Sequence, residues 1–307
     1  MQPKYRICCL TKNKTNPAYI GAQIGAQRLA RQLGCDVQGF VPERPDNIDD
    51  QTAHIHAAIA SKPDAILVSP VHATALNGAL QKVVDAGIVL VFFVTSAEGV
   101  AANSFITSDN YTLGAAIAKR LVEHLGGRGK VAILDGLAQS PTSPPRSKAF
   151  RDVAAAYPGI KVVATAAGNY QRAEGKAETA KILAAHSELD GIISANDIMA
   201  LGALEALDEA GRTAAMVGMN AMPDAVKAIK AKRLLATVSY DALSLVAIAL
   251  QAAIRILDGK PVAKVVELPA EIIDISNCEA WDRPYEERPL PMWDDVVTAD
   301  LVHAGRN

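Results

Sequence analysis

Ten short apolar runs, many of them β-branched, alternate with Ala/Leu-rich stretches of helical period through most of the chain. The runs are YRICCL (5–10), DVQGFV (36–41), AILVS (65–69), IVLVFF (88–93), SFIT (104–107), KVAIL (130–134), IKVVAT (160–165), GIIS (191–194), AAMVGM (214–219) and LLATVS (234–239). A strand that is apolar on both sides is covered on both faces, and helices that return the chain between such strands produce parallel sheets. This predicts an α/β fold of the doubly wound kind. The helical spacing is plain in YIGAQIGAQRLARQLG (19–34) and LGAAIAKRLVEHLG (113–126).

The alternation occurs twice. Five βα units precede about residue 107, and four or five more lie between 108 and 240. A long apolar helix (241–257) and an extended segment, KVVELPAEIIDI (264–275), follow. At 307 residues the chain exceeds the size at which single cores stop growing, so two similar lobes are predicted in place of one oversized sheet. The first takes residues 1–107 and 242–268, the second 108–241 and 269–285. A proline-rich tail of mixed charge, 286–307, packs on the surface as an irregular strap, with disorder as the alternative reading.

With 31 Lys plus Arg against 33 Asp plus Glu, the formal charge of −2 gives no electrostatic basis for binding nucleic acid or an anionic membrane. No run approaches the roughly 18 consecutive apolar residues of a membrane span. The opening MQPKYRICCL lacks the basic-then-apolar layout of a secretion signal, so export of this chain implies a mature form with an added Met. Cys8, Cys9, Cys35 and Cys278 lack zinc-site spacing and are assigned to packing.

Doubly wound folds host many chemistries, so function must be read from sites. After the first run comes TKNKTNPAYIGAQIG, with neither a dinucleotide fingerprint nor a phosphate loop. LGGRGK (125–130) precedes a strand and reads as a helix-ending turn. There is no G-x-S-x-G elbow, H-E-x-x-H or C-x-x-C. His54 and His56 cannot share a helix face and are assigned to solvent, while His72 stays open between structure and site. No catalytic residue, metal ligand or cofactor is assigned.

In open parallel sheets ligands bind beyond the carboxyl ends of the strands. Those positions hold Lys12, Asn16, Tyr19, Ser69, Thr95, Ser108, Asp109, Arg146, Tyr170, Asn196, Asn220 and Tyr240. Asn, Asp and Ser also cap helices, so each has a purely structural reading. Their recurrence points to a ligand, because amides and hydroxyls pair with hydroxyl groups and flat tyrosines cover the C–H patches of a sugar. The stretch SANDIMALGALEAL (194–207) poses the choice directly: Asn196 is assigned to the ligand, and Asp197 to the helix start or to steadying its neighbour.

Taken in order, NPAYIGAQIGAQRLARQLG, DAILVSPVHATAL, ITSDN, SANDIMALGALEAL and MVGMNAMPDAVKAIKAKRLLATV resemble the ribose-type periplasmic sugar-binding proteins of ABC transporters, over about residues 5–275. The resemblance implies a periplasmic two-lobe clamp of type I with three crossings, near 107–110, 238–243 and 267–272. It would close over a neutral pentose, hexose or linear polyol and dock on a membrane permease, as a monomer without cofactor or membrane insertion. It also implies sugar contacts at Asn16, Tyr19, Ser69, Ser108, Tyr170 and Asn196. The chain departs from the family where Val94 and Thr95 replace an Asp-Arg pair, Pro144 replaces an Arg, Asn220 replaces Asp and Tyr240 replaces Gln. These departures argue against ribose itself, and Lys12 with Arg146 leaves an acidic sugar open. A repressor would need a DNA-reading segment before Tyr5, where only four residues stand. A signal receptor built on the same clamp is the remaining alternative.

Overall fold

The computed structural model describes residues 3–298 and the backbone of 302–303. Along the chain it forms β1 (Arg6–Leu10), α1 (Pro17–Gln32), β2 (Asp36–Phe40), α2 (Ile48–Ala60), β3 (Ala65–Val68), α3 (Asn77–Asp85), β4 (Val89–Phe93) and β5 (Ser104–Thr107). Then come α4 (Asn110–His124), β6 (Arg128–Asp135), α5 (Ser143–Ala156), β7 (Gly159–Ala167), α6 (Arg172–Ala185), β8 (Gly191–Ser194), α7 (Asp197–Glu209), β9 (Ala215–Val217), α8 (Pro223–Lys230) and β10 (Ala236–Val238). The chain ends with α9 (Ala242–Leu257), β11 (Val265–Glu267), β12 (Ile272–Asp274), α10 (Trp293–Val296) and β13 (Val302–His303).

Two compact units result. One comprises Met1–Ser108, Asp241–Pro269 and Tyr285–Asn307, the other Asp109–Tyr240 and Ala270–Pro284. The chain passes between them at 108/109, 240/241 and 269/270, and a fourth time at 284/285. The first unit holds a sheet in the order β13-β11-β5-β4-β3-β1-β2, and the second a sheet in the order β12-β10-β9-β8-β6-β7. Both are doubly wound α/β sheets, parallel except at one edge. There β13 pairs antiparallel with β11 and β12 antiparallel with β10, where the chain turns back.

β1, β3 and β4 are buried almost end to end, which explains their unbroken apolar character. α2 and α3 cover one face of the first sheet, where Ile55, Leu76, Leu80 and Val83 join Ile66, Val68, Leu90 and Phe92 in one core. α9 is apolar nearly all round because it lies buried beside α1. Gly25 of α1 makes that approach possible, since a Cβ there would stand 3.0 Å from Leu243 Cγ. In the second unit Gly175 plays the same part between α6 and α7, where a Cβ would lie 2.8 Å from the Met199 carbonyl oxygen.

Several expectations are corrected. β4 and β5 are joined without a helix, and α4 belongs to the second unit, so the first unit has fewer βα repeats than the pattern promised. His54 is half-buried against Phe40, with ring centroids 5.7 Å apart, and is not a solvent residue. His72 serves a turn, its Nδ1 accepting from the Thr74 and Ala75 N–H groups. All four cysteines are buried and free.

The strap is tied to the first unit. Arg28 Nη1 donates to the carbonyls of Tyr285 (2.6 Å) and Arg288 (2.9 Å). Gln251 donates to the Pro291 carbonyl and accepts from the Trp293 N–H. Satisfied backbone of this kind is what holds an irregular segment in place. Residues 299–301 and 304–307 of the tail lie outside the described residues.

Candidate functional site

Each sheet places its carboxyl strand ends on one edge, and each has a switch point where successive connections leave in opposite directions. These lie between β1 and β3 in the first unit and between β6 and β8 in the second.

At the first unit's edge, Asn16 is the N-cap of α1, its Oδ1 accepting from the Ala18 N–H at 3.0 Å. The cap needs the carbonyl end of the amide, so Nδ2 is left without a protein partner among the described residues. Asn13 sets this up by accepting from the Asn16 N–H (2.8 Å) and donating to Asp46 (2.9 Å). Lys12 is buried, with Asp46 near enough to feel its charge. Burial pushes the Asp46 carboxyl above its ordinary range, and Lys12 and Asn13 oppose the rise. Tyr19 lies half-buried in the first turn of α1, and Ser108 is buried after β5, its carbonyl accepting from the Thr107 hydroxyl.

Ser69 and Thr95 are turned inward. Thr95 Oγ1 donates to the Pro70 carbonyl at 2.8 Å and lies 3.0 Å from Ser69 Oγ. Gln51, fully buried on α2, braces this edge by donating to the Thr11 and Ser69 carbonyls and accepting from the Val71 N–H. Between Phe93 and Thr95, Val94 has φ +66°, and the Thr95 N–H donates to the Phe93 carbonyl at 2.7 Å. That is a γ-turn of the rare positive-φ kind, costing roughly 1–3 kcal/mol for a non-glycine residue.

At the second unit's edge, Asn196 is the N-cap of α7 through Oδ1, which accepts from the Met199 N–H at 3.0 Å. Its Nδ2 is buried with no partner. Leaving such a donor unmade costs about 1–3 kcal/mol. The expected division of labour is therefore corrected: Asn196 starts the helix, and Asp197 does not. Asp197 accepts from the Met222 N–H (2.9 Å) and the Thr237 hydroxyl (2.7 Å), binding the loops around β9 and β10 to α7.

Asn220 shows the same two-ended use in reverse. Nδ2 donates to the Tyr240 carbonyl at 3.0 Å, and Oδ1 has no partner among the described residues. Its backbone has φ +117°, a conformation that favours glycine and that Asn tolerates better than most residues. Arg146 is buried on α5. Its Nε donates to Asn110 Oδ1 (2.8 Å), its Nη1 donates to the Ala195 carbonyl (2.7 Å), and its guanidinium stacks 4.8 Å from the centre of the buried Tyr240 ring. Tyr170, half-buried at φ +59°, shares a hydrogen bond with the Thr142 hydroxyl (2.9 Å) and lies over Gly136.

Arg146, Tyr240, Asn220 and the 195–196 turn thus form one connected group. Asp109, the exposed N-cap of α4, stands outside these contacts, its Oδ1 accepting from the Thr112 N–H. Asn13 and Gln51 are positioning residues that strand-end reading does not single out, whereas Asn110, which follows the SFIT strand, is one that it does. For Gln51 the available signal is a lone amide on the apolar face of IDDQTAHIHAA (48–58). Among the described residues no three His, Cys, Asp or Glu side chains gather as a metal site, and no helix is long and apolar enough to cross a membrane.

A family model described as a periplasmic binding protein domain matches residues 7–261. The chain belongs to the periplasmic binding protein family. Within that family it is 28% identical to the ribose import binding protein RbsB of Bacillus subtilis, over 84% of this chain and 83% of the relative. It is 32% identical to the D-apiose import binding protein of Actinobacillus succinogenes, over 69% of this chain and 68% of the relative. Among solved structures it is similar to a periplasmic solute-binding protein of an ABC transporter from Actinobacillus succinogenes 130z with bound D-allose. That match has a TM-score of 0.86 at 28% identity and covers 90% of this chain and 99% of the other.

Proposed function

We propose that this protein is the solute-binding component of an ABC importer, working in the periplasm. In this reading it captures a neutral pentose, hexose or linear polyol by hinge closure of its two units and hands it to a membrane permease. The observation that carries the reading is the set of half-used amides. Asn16 and Asn196 each commit a carbonyl end to a helix start, and Asn220 commits its amino end to a neighbouring backbone carbonyl. What remains is two donors and one acceptor, the complement of hydroxyl groups, which both donate and accept.

The two cations are engaged within the protein. Lys12 is buried with Asp46, and Arg146 is held by Asn110, Ala195 and Tyr240. The relatives named for ribose and D-apiose, and the structure holding D-allose, support a ligand of the same chemical class. On this reading Asn16, Asn196, Asn220 and Arg146 contact the ligand and Tyr19 or Tyr170 covers a C–H face.

A thermal-shift screen against neutral pentoses, hexoses, polyols and sugar acids tests this. A bound ligand at a thousandfold excess over its dissociation constant stabilises by RT ln(1 + [L]/Kd), about 4 kcal/mol. A midpoint rise with a neutral carbohydrate is expected. A rise with sugar acids alone, or with no carbohydrate at all, overturns the proposal.

A further inference from the structure

We propose that Asp46, in the loop between β2 and α2, is a positioning residue for ligand capture. It orients the Asn13 amide, which in turn holds Asn16 with its Nδ2 left for the ligand. This rests on the carbohydrate reading above and lies wholly within the first unit.

The segment TKNKTN (11–16) after β1 forms neither helix nor strand, so its backbone groups need partners from elsewhere. Buried Asn13 supplies one: its Oδ1 accepts from the Asn16 N–H at 2.8 Å and from the Thr15 hydroxyl at 3.3 Å. An amide has one accepting end and one donating end, so serving Asn16 turns Asn13 Nδ2 the other way. Asp46 takes that donor at 2.9 Å. Reversed, the same amide would set a donor against the Asn16 N–H and an oxygen against the carboxylate. With its N–H satisfied, Asn16 keeps the extended backbone, φ −97° and ψ 112°, from which Oδ1 reaches the Ala18 N–H at 3.0 Å. The accepting end of Asn16 is then used, and the donating end is the one left over.

Asp46 is itself tied to the segment it positions, its backbone N–H donating to the Lys12 carbonyl at 3.2 Å. Its φ of +52° is a left-handed conformation that Asp adopts more readily than most residues. Among the neighbouring charges, Lys14 pairs with Glu43, and Arg44 pairs with Asp50, which also feels His54. Asp49 is exposed in the first turn of α2. The cation facing Asp46 is therefore Lys12. A hydrogen bond to an ionised acceptor is roughly twice as strong as one between neutral groups, so the charge on Asp46 tightens its hold on Asn13. Burial keeps the carboxyl above its ordinary range, and its proton returns at a higher pH than that of an exposed aspartate. The folded state binds that proton more readily than the unfolded chain, so acid favours the fold at this group while it loosens the hold on Asn13. A carboxylate that only braced the fold would lose stability and affinity together.

Isothermal titration calorimetry tests this with the neutral carbohydrate that raises the wild-type midpoint most, D-ribose, D-apiose and D-allose being among those screened. Asn13→Asp sets a second carboxylate against Asp46 and should weaken binding about tenfold. Combining it with Asp46→Asn exchanges donor and acceptor while the Asn16 N–H keeps its acceptor, and should restore Kd to within about threefold of wild type. Asp46→Asn alone removes the titrating charge. From about pH 7 to about pH 4, near the ordinary aspartate value, wild type should lose affinity and gain stability relative to this variant. Should Asn13→Asp not fold, the two pH profiles decide alone. The inference is overturned if Asn13→Asp folds and binds like wild type, if the exchanged pair stays as weak as Asn13→Asp, or if wild type and Asp46→Asn share one pH profile. In each of those cases wild-type binding leaves the carbohydrate reading standing. If no carbohydrate binds the wild type, both are overturned.

Discussion

Asn196→Ser separates two roles that one side chain holds at once. Serine caps helices about as well as asparagine, so the 3.0 Å bond to the Met199 N–H has a replacement and α7 keeps its start. The substitution removes Nδ2, the buried donor without a partner. Deleting an unmade donor returns part of its desolvation cost, about 1–3 kcal/mol, against the small void the missing atoms leave. Unfolding free energy should therefore change by less than about 1 kcal/mol. Binding should suffer, because the ligand oxygen that met Nδ2 is left buried and unpaired. A loss of about 1–3 kcal/mol corresponds to roughly 5- to 150-fold in Kd. Urea melts without ligand and calorimetry with the tightest sugar from the screen measure the two effects separately. A variant that loses 2 kcal/mol or more of stability and binds like wild type would refute the reasoning, leaving Asn196 as a cap alone.

Asp197→Ala should cost about 3 kcal/mol in urea melts, since it removes the acceptor from two buried donors, the Met222 N–H and the Thr237 hydroxyl; a loss under 1 kcal/mol would contradict the bracing role. Gly202→Ala should destabilise by about 1–3 kcal/mol despite alanine's better helix propensity, because the new methyl collides with the Arg172 carbonyl oxygen where α6 meets α7. A rise in thermal midpoint would show that the helices part without cost. Thiol titration at pH 8 should find no reactive cysteine in the folded protein and four after unfolding, since all four are buried and burial pushes the Cys9 thiol up to about 12.

The architecture was legible because it depends on pattern. A strand such as AILV, buried on both faces, has to be apolar throughout, and the period of the stretches between strands identifies the helices. The edges were less legible. β12 and β13 are three and two residues long, too short for periodicity to act on, and their direction follows from where the chain re-enters each sheet. The strap's return to the first unit depends on Arg28 and Gln251, more than 30 residues from their partners.

At the candidate site, strand-end position brought forward polar residue types without saying which way they turn. Ser69 and Thr95 stand at strand ends, and only the folded chain brings the Thr95 hydroxyl to the Pro70 carbonyl. Asp197 reads as a helix start until Met222 and Thr237, 25 and 40 residues further on, take its carboxylate. Such choices are made by tertiary neighbours, which local sequence does not contain.

The most direct test of the account is a crystal structure with the tightest-binding neutral carbohydrate from the screen. The account predicts that Asn196 Nδ2 donates to a ligand oxygen at 2.7–3.2 Å, with Asn16 and Asn220 on the same molecule. A ligand seated elsewhere, with Asn196 Nδ2 still unpaired, would contradict it.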